Sequence, residues 1–213
     1  MLGNAFAESS QNDLKNLFPI MFLIIIMTLM LLLRSFTGTF VTVLVILLSI
    51  VSAMGMFGWL GWTLTGPTTS APTVIMTMAV ADCVHILVTF LFNMRQGMLK
   101  ADAMQESIRV NFQPVFITSI TTIVGFLTMN FSEVPPFRDL GNTVAMGVVA
   151  AFFLSVFLLP ALMMVLPVKE KKQSSREHKA IDGIAKFVIH NRNRILMGTA
   201  VVSIAIFSAI PLN

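Results

Sequence analysis

The chain alternates long apolar runs with short polar breaks. Leu17 to Leu33 is almost uninterrupted and ends at Arg34, and a second run, from about Phe40 to Leu60, is broken only by small or hydroxylated residues. A third covers about Thr73 to Phe92, a fourth about Val115 to Phe131, a fifth about Leu140 to Leu166, and a sixth begins near Ile195. Each is close to the roughly 20 residues that a helix needs to cross the hydrocarbon core of a bilayer, so all are read as membrane crossings. The breaks have turn chemistry: Arg34-Ser-Phe-Thr-Gly38 is a tight hairpin, Gly61 to Pro72 a Gly/Pro/Thr-rich loop, and Ser132-Glu-Val-Pro-Pro136 a short turn. Between the third and fourth runs, Met98, Ala101, Met104 and Ile108 fall near helical spacing among charged residues. That pattern predicts an amphipathic helix over about 97–110, lying on the inner membrane surface as a connector. The expected architecture is all-α and polytopic, with about six transmembrane helices: a tail (1–16), a five-helix block (17–166), a linker (167–194) and a further, truncated helix (195–213).

Composition agrees with the pattern. Hydrophobic residues make up 56% of the 213 positions and charged residues 11%, where about 25% is typical of soluble domains. The mean hydropathy is +0.86. A soluble globular domain is thereby excluded. The lone Cys83 rules out an intrachain disulfide framework and any Cys/His zinc spacing. No HExxH, GxSxG or Walker A pattern occurs, so an intramembrane enzyme has little support, and no cofactor or metal is expected. The net charge of +4 implies no nucleic-acid partner. In a polytopic chain the location of Lys and Arg carries more information than their sum.

If the first crossing runs from outside to inside, all but two of the 14 basic residues face inward, leaving Lys15 and Arg138 outside. This asymmetry predicts an N-terminal tail on the periplasmic or cell-exterior side. The tail has no basic n-region and no A-x-A-like site follows the first run, so a cleaved signal peptide fits poorly. The expectation is an excerpt of a longer parent protein whose earlier helix delivers this end across the membrane.

Of ten acidic residues, only Asp82 lies within a crossing, near the middle of the third. Insertion of an aspartate there costs roughly 2.5–3.5 kcal/mol on the translocon scale, and an intramembrane acid is a functional candidate by default. His85 follows three residues on, and Met78, Thr89 and Asn93 extend the same helical face. The pair reads either as a proton-relay site or as a hydrogen-bonded packing contact. The fourth crossing carries Thr118, Ser119, Thr121, Thr122, Gly125 and Thr128, which permit close helix approach, with a hydroxyl-lined proton path as the alternative. Gly141, Ala145, Gly147, Ala150 and Ala151 read as packing residues of the fifth, and Pro160 as a kink. Sixteen Met and 18 Phe, nearly all within crossings, read as lipid-facing or interhelix filler. Asn130-Phe-Ser132 matches the glycosylation pattern but abuts the membrane.

Four strings occur in order from the third crossing to the fifth: Ala81-Asp-Cys-Val-His-Ile-Leu87, Thr118-Ser-Ile-Thr-Thr-Ile-Val-Gly-Phe126, Pro135-Pro-Phe-Arg-Asp-Leu-Gly141 and Phe157-Leu-Leu-Pro-Ala-Leu162. Together they resemble the resistance-nodulation-division (RND) superfamily, in its MMPL-type branch of lipid and hydrophobe exporters. The resemblance covers roughly Leu17 to Leu166. It implies that these crossings are the five-helix block of the first half, similar to a sterol-sensing domain, and that Ile195 onward opens the second half. It further implies that Asp82 belongs to the proton relay that drives export. His85 matches a histidine common in that branch, whereas Cys83 stands where a serine or tyrosine is expected. Partners so implied are membrane lipids, the remaining half and extracytoplasmic domains of the parent, and a second copy in a homo-oligomer. The competing function is a lipid- or sterol-sensing module that does not pump. The protein-export accessory branch fits less well, because its pattern lacks the Val84-His-Ile-Leu87 continuation.

Overall fold

A computed structural model describes residues 18–62, 64–168, 190–191, 197–201 and 203. Among the described residues the chain is helical and no strand occurs. The first helix, α1 (Phe18–Leu33), has 16 residues. It is followed by α2 (Phe36–Trp59), α3 (Ala71–Arg95), α4 (Lys100–Leu127) and the long run α5 (Pro135–Val165). From α2 to α5 each is long and apolar enough to cross a bilayer. The sixth expected crossing lies mostly outside the described residues, of which 197–201 are helical, and so does most of the 167–194 linker.

Each helix ends for a local reason. After α1, Arg34 takes a positive φ of 49°, and Ser35 starts α2 as an N-cap whose Oγ accepts the Gly38 N–H at 3.2 Å. α2 and α3 run out into Gly61 (φ 71°) and Gly97 (φ 90°), the left-handed conformations that glycine adopts without steric cost. Pro135 opens α5, where its missing N–H costs nothing.

The boundary around residue 110 differs from the sequence expectation. The helix expected over 97–110 and the crossing expected from Val115 are one helix, α4, which continues through Pro114. The physical reason is packing. Ala103, Met104, Ser107 and Asn111 in its first half are buried, with Ala103 and Met104 joining the core formed by Leu87, Phe90, Leu91 and Met94 of α3. In α5 the kink expected at Pro160 takes the form of a π turn, Leu154–Leu158, closed by the Leu159 N–H reaching the Leu154 carbonyl. Pro160 cannot donate to the ladder, and the wider turn just before it takes up the mismatch.

α3 is the central element, packing on α1, α2, α4 and α5. Two glycines set how closely the neighbours approach. A Cβ on Gly147 of α5 would collide with the Ile75 side chain of α3, and one on Gly141 would collide with the Phe126 carbonyl of α4. Gly125, by contrast, faces open space. The end of the block where α1 and α5 finish is stapled by cations on carbonyl oxygens at helix C-termini. Arg95 donates to Leu33 O at 3.0 Å, and Lys100 Nζ to Met164 O and Leu166 O at 3.0 and 2.8 Å. Thr37 adds a bond to Pro167 O at 2.8 Å.

Candidate functional site

The middle of α3 holds Asp82 inside the bundle, its residue surface only 4% exposed. The group that meets it comes from α4: Ser119 Oγ lies 3.5 Å from Asp82 Oδ2, a donor at the outer limit of hydrogen-bond distance. Ser119 is itself buried. His85, expected beside the carboxyl, is exposed on the surface of α3, and its ring makes no hydrogen bond to Asp82. Three residues turn a helix by 300°, which here separates an inward position from an outward one.

Toward the end held by Arg95 and Lys100, α3 and α4 are joined by a second polar group. Asn111 Nδ2 donates to Thr89 Oγ1 at 2.8 Å and to Ser107 O at 2.8 Å, while Thr89 donates to His85 O at 3.1 Å. Ser107 Oγ donates to Ile86 O at 2.5 Å. One turn beyond Thr89, the buried Nδ2 of Asn93 has no hydrogen-bond partner.

The other threonines expected to line a path do not reach the carboxyl. Thr118 bonds Pro114 O and Val115 O at 3.0 and 2.9 Å, Thr121 bonds Ile117 O at 2.8 Å, and Thr122 bonds Thr118 O at 2.7 Å. All three are satisfied by their own helix, with Thr118 and Thr121 on its exposed side. The residues that do join the helices are Ser107, Asn111 and Ser119. Sequence reasoning placed Ser119 on a broad small-residue face and passed over the other two. Their signal was spacing by multiples of four, which puts Ser107, Asn111 and Ser119 on one broad face of the helix.

Near the opposite end of the block from the Arg95 and Lys100 staples, a groove of about 400 Å³ is bounded by α2, α4 and α5. Met56, Trp62, Ile123, Leu127 and Val149 make it apolar, and Asn142 is its polar lining residue. Asn142 exchanges amide hydrogen bonds with Asn130 at 2.8 and 3.0 Å. Among the described residues, no cluster of three or more His, Cys, Asp or Glu could hold a metal ion.

The ordered strings on α3, α4 and α5 thus sit on helices packed around one buried carboxyl, and a family model, that of the MMPL family, matches residues 2–204. The chain belongs to the MMPL family. Comparison with curated proteins returns no match. As an MMPL-family chain with several long apolar helices, it is a multi-pass membrane module of transporter type. The MMPL match extends beyond the five-helix block on both sides, into the N-terminal tail and past Ile195.

Proposed function

We propose that this block is the energy-coupling transmembrane portion of a proton-driven exporter of lipids or other hydrophobic or amphiphilic compounds, a secondary active transporter in which Asp82 takes up and releases the proton. The observation that carries the reading is a carboxyl group enclosed at the centre of α3, against the neutral hydroxyl of Ser119. Among the described residues no cation forms an ion pair with it. An ionised carboxylate without a cation is costly inside a bundle, and a bound proton removes its charge. Helix packing around Asp82 therefore differs between its two forms, and that difference is what an extracytoplasmic substrate domain would read. In this proposal His85, on the exposed face of α3, passes protons between Asp82 and the remaining half of the parent protein. Thr118, Thr121 and Thr122 line the α4 surface where that half packs, and Thr89 belongs to the inner polar group.

The domain plan follows the same reading: an extracytoplasmic tail to residue 16, the block to 166, a cytoplasmic linker to 194 and a crossing that opens the next half. The asymmetry of basic residues supports the orientation, and the likeness to RND-type exporters is the ground for proposing a bacterial inner-membrane location. Membrane lipids, the remaining half with its extracytoplasmic domains and a second copy of the chain are the proposed partners.

The test is Asp82→Asn in the full-length protein, with proton-dependent efflux measured at matched membrane expression. Loss of efflux is expected. Efflux that persists unchanged rules out Asp82 as the coupling acid.

One observation favours the second reading, a lipid- or sterol-sensing module. The 400 Å³ groove is apolar throughout except at Asn142, the lining expected for an acyl chain or sterol body with one polar handle. Photo-crosslinking of a lipid probe in the groove, combined with activity independent of the proton gradient, would establish sensing in place of pumping.

A further inference from the structure

Five residues of α4 face the bundle interior in steps of four: Ala103, Ser107, Asn111, Val115 and Ser119, all buried. Ser119 serves Asp82, while Asn111 and Ser107 serve Thr89 and the Ile86 carbonyl. Val115 stands between these two polar groups, 1% exposed. On the α3 side, the buried inward positions between Asp82 and Thr89 are Cys83, Ile86 and Leu87, all apolar and at most 2% exposed. At a rise of about 1.5 Å per residue, Asp82 and Thr89 are roughly 10 Å apart along the axis, and Ser119 and Asn111 about 12 Å. Proton transfer needs donor and acceptor within about 3 Å, or one bridging water. Along the α3–α4 seam the apolar layer supplies neither.

We infer that Val115 is an apolar gate that separates the Asp82–Ser119 pair from the inner polar group of Thr89, Asn111, Ser107 and Asn93. This deepens the proposed function and rests on it: Asp82 is the proton site, and Val115 keeps that site from equilibrating with the inner side until the helices move. The buried Asn93 Nδ2, one turn past Thr89, has no protein hydrogen-bond partner and is a group that a water molecule would satisfy. A single side chain decides the matter because the other α4 positions in the row are already polar or, like Ala103, lie beyond the gap.

The electrostatic surroundings leave little competition. On α3 the titratable neighbours of Asp82 are Cys83, which is buried, and His85, which faces outward. On α4 the Glu106–Arg109 pair is closed on itself at 2.7 Å on the outer surface. The Arg95 and Lys100 head groups are engaged by carbonyl oxygens at the inner end. α1 and α2 contain no charged residue, and those of α5 are Arg138 and Asp139 in its first turns.

The experiment uses the full-length protein in proteoliposomes with an entrapped pH dye, an imposed proton gradient and no export substrate. Wild-type vesicles are expected to stay tight. Val115→Thr, which keeps the side-chain shape and adds a hydroxyl, is expected to raise proton leak several-fold. Adding Asp82→Asn to Val115→Thr is expected to return the leak to the wild-type level, and Val115→Ile is expected to stay tight. Should Val115→Thr fail to reach the membrane, Val115→Ser carries the same expectation. Vesicles that remain tight with a polar residue at 115, or a leak that survives Asp82→Asn, overturn the gate. Neither result touches the role of Asp82 in export, which stands or falls with the efflux of the single Asp82→Asn variant.

Discussion

Ser119 of α4 is the side chain that reaches Asp82 of α3, hydroxyl to carboxylate at 3.5 Å, with both residues almost wholly enclosed. A hydrogen bond to a charged group contributes about 1.5–3 kcal/mol at good geometry, and at this length about 1 kcal/mol is the expectation. Ser119→Ala is therefore expected to lower proton-dependent efflux about five-fold, with Ser119→Thr near wild type. The readout is the initial efflux rate over a pH series at matched expression. A rate unchanged in Ser119→Ala would show that the hydroxyl does not support the carboxyl.

The polar group of Thr89 and Asn111 can be weighed by a double-mutant cycle. Thr89→Val and Asn111→Leu remove the two sides of the 2.8 Å bond between α3 and α4. Interhelical hydrogen bonds in membrane bundles average about 0.6 kcal/mol, with a maximum near 1.7. A coupling energy in that range is expected from unfolding in mixed micelles. A value near zero would mean that the two helices are held by apolar packing alone.

Gly147 lies against Ile75 with no room for a further carbon, and Ile75 is fully buried. Gly147→Ala is expected to destabilise the bundle by about 1–3 kcal/mol through overpacking. Ile75→Val should relieve part of that loss when combined with it, although alone it costs about 1 kcal/mol as a small cavity. Thermal unfolding of the four species tests this, and additive losses would refute the contact.

Lys100 reaches two carbonyl oxygens at the end of α5. Lys100→Met keeps the apolar stem and removes the donor, so a loss of about 1–2 kcal/mol is expected. Faster proteolysis after residue 166 would report the loosened end, and an unchanged cleavage rate would exclude Lys100 as its staple.

Much of the fold was legible because a bilayer leaves few solutions. Backbone groups in hydrocarbon must be satisfied within a helix, so an apolar run of the right length already specifies its conformation, and Arg34-Ser35 and Gly61 specify where the first two stop. Asp82 stood out for a related reason: a lone acid in such a run is expensive wherever it points. The direction in which it points was not legible. His85 at three residues' spacing reads as a neighbour of Asp82 on a helical wheel, yet the two straddle the edge between interior and surface. The run of hydroxyls on α4 likewise concealed that Ser119 alone turns inward while Thr118, Thr121 and Thr122 bond their own backbone.

The sequence by itself therefore determined the class of protein, the four long apolar helices from α2 to α5 and the one acid that needs explaining, whereas the first expected crossing is a 16-residue helix, shorter than those four; each of these readings depends on transfer from water to hydrocarbon, a property of single residues and short runs. Tertiary structure alone decided that the connector helix merges with α4, that Ser119 is the group facing Asp82, and that Val115 separates it from Asn111. Those facts depend on the rotation of one helix against another, which is set by the summed fit of side chains such as Ile75 against Gly147 and has no signature in any single segment.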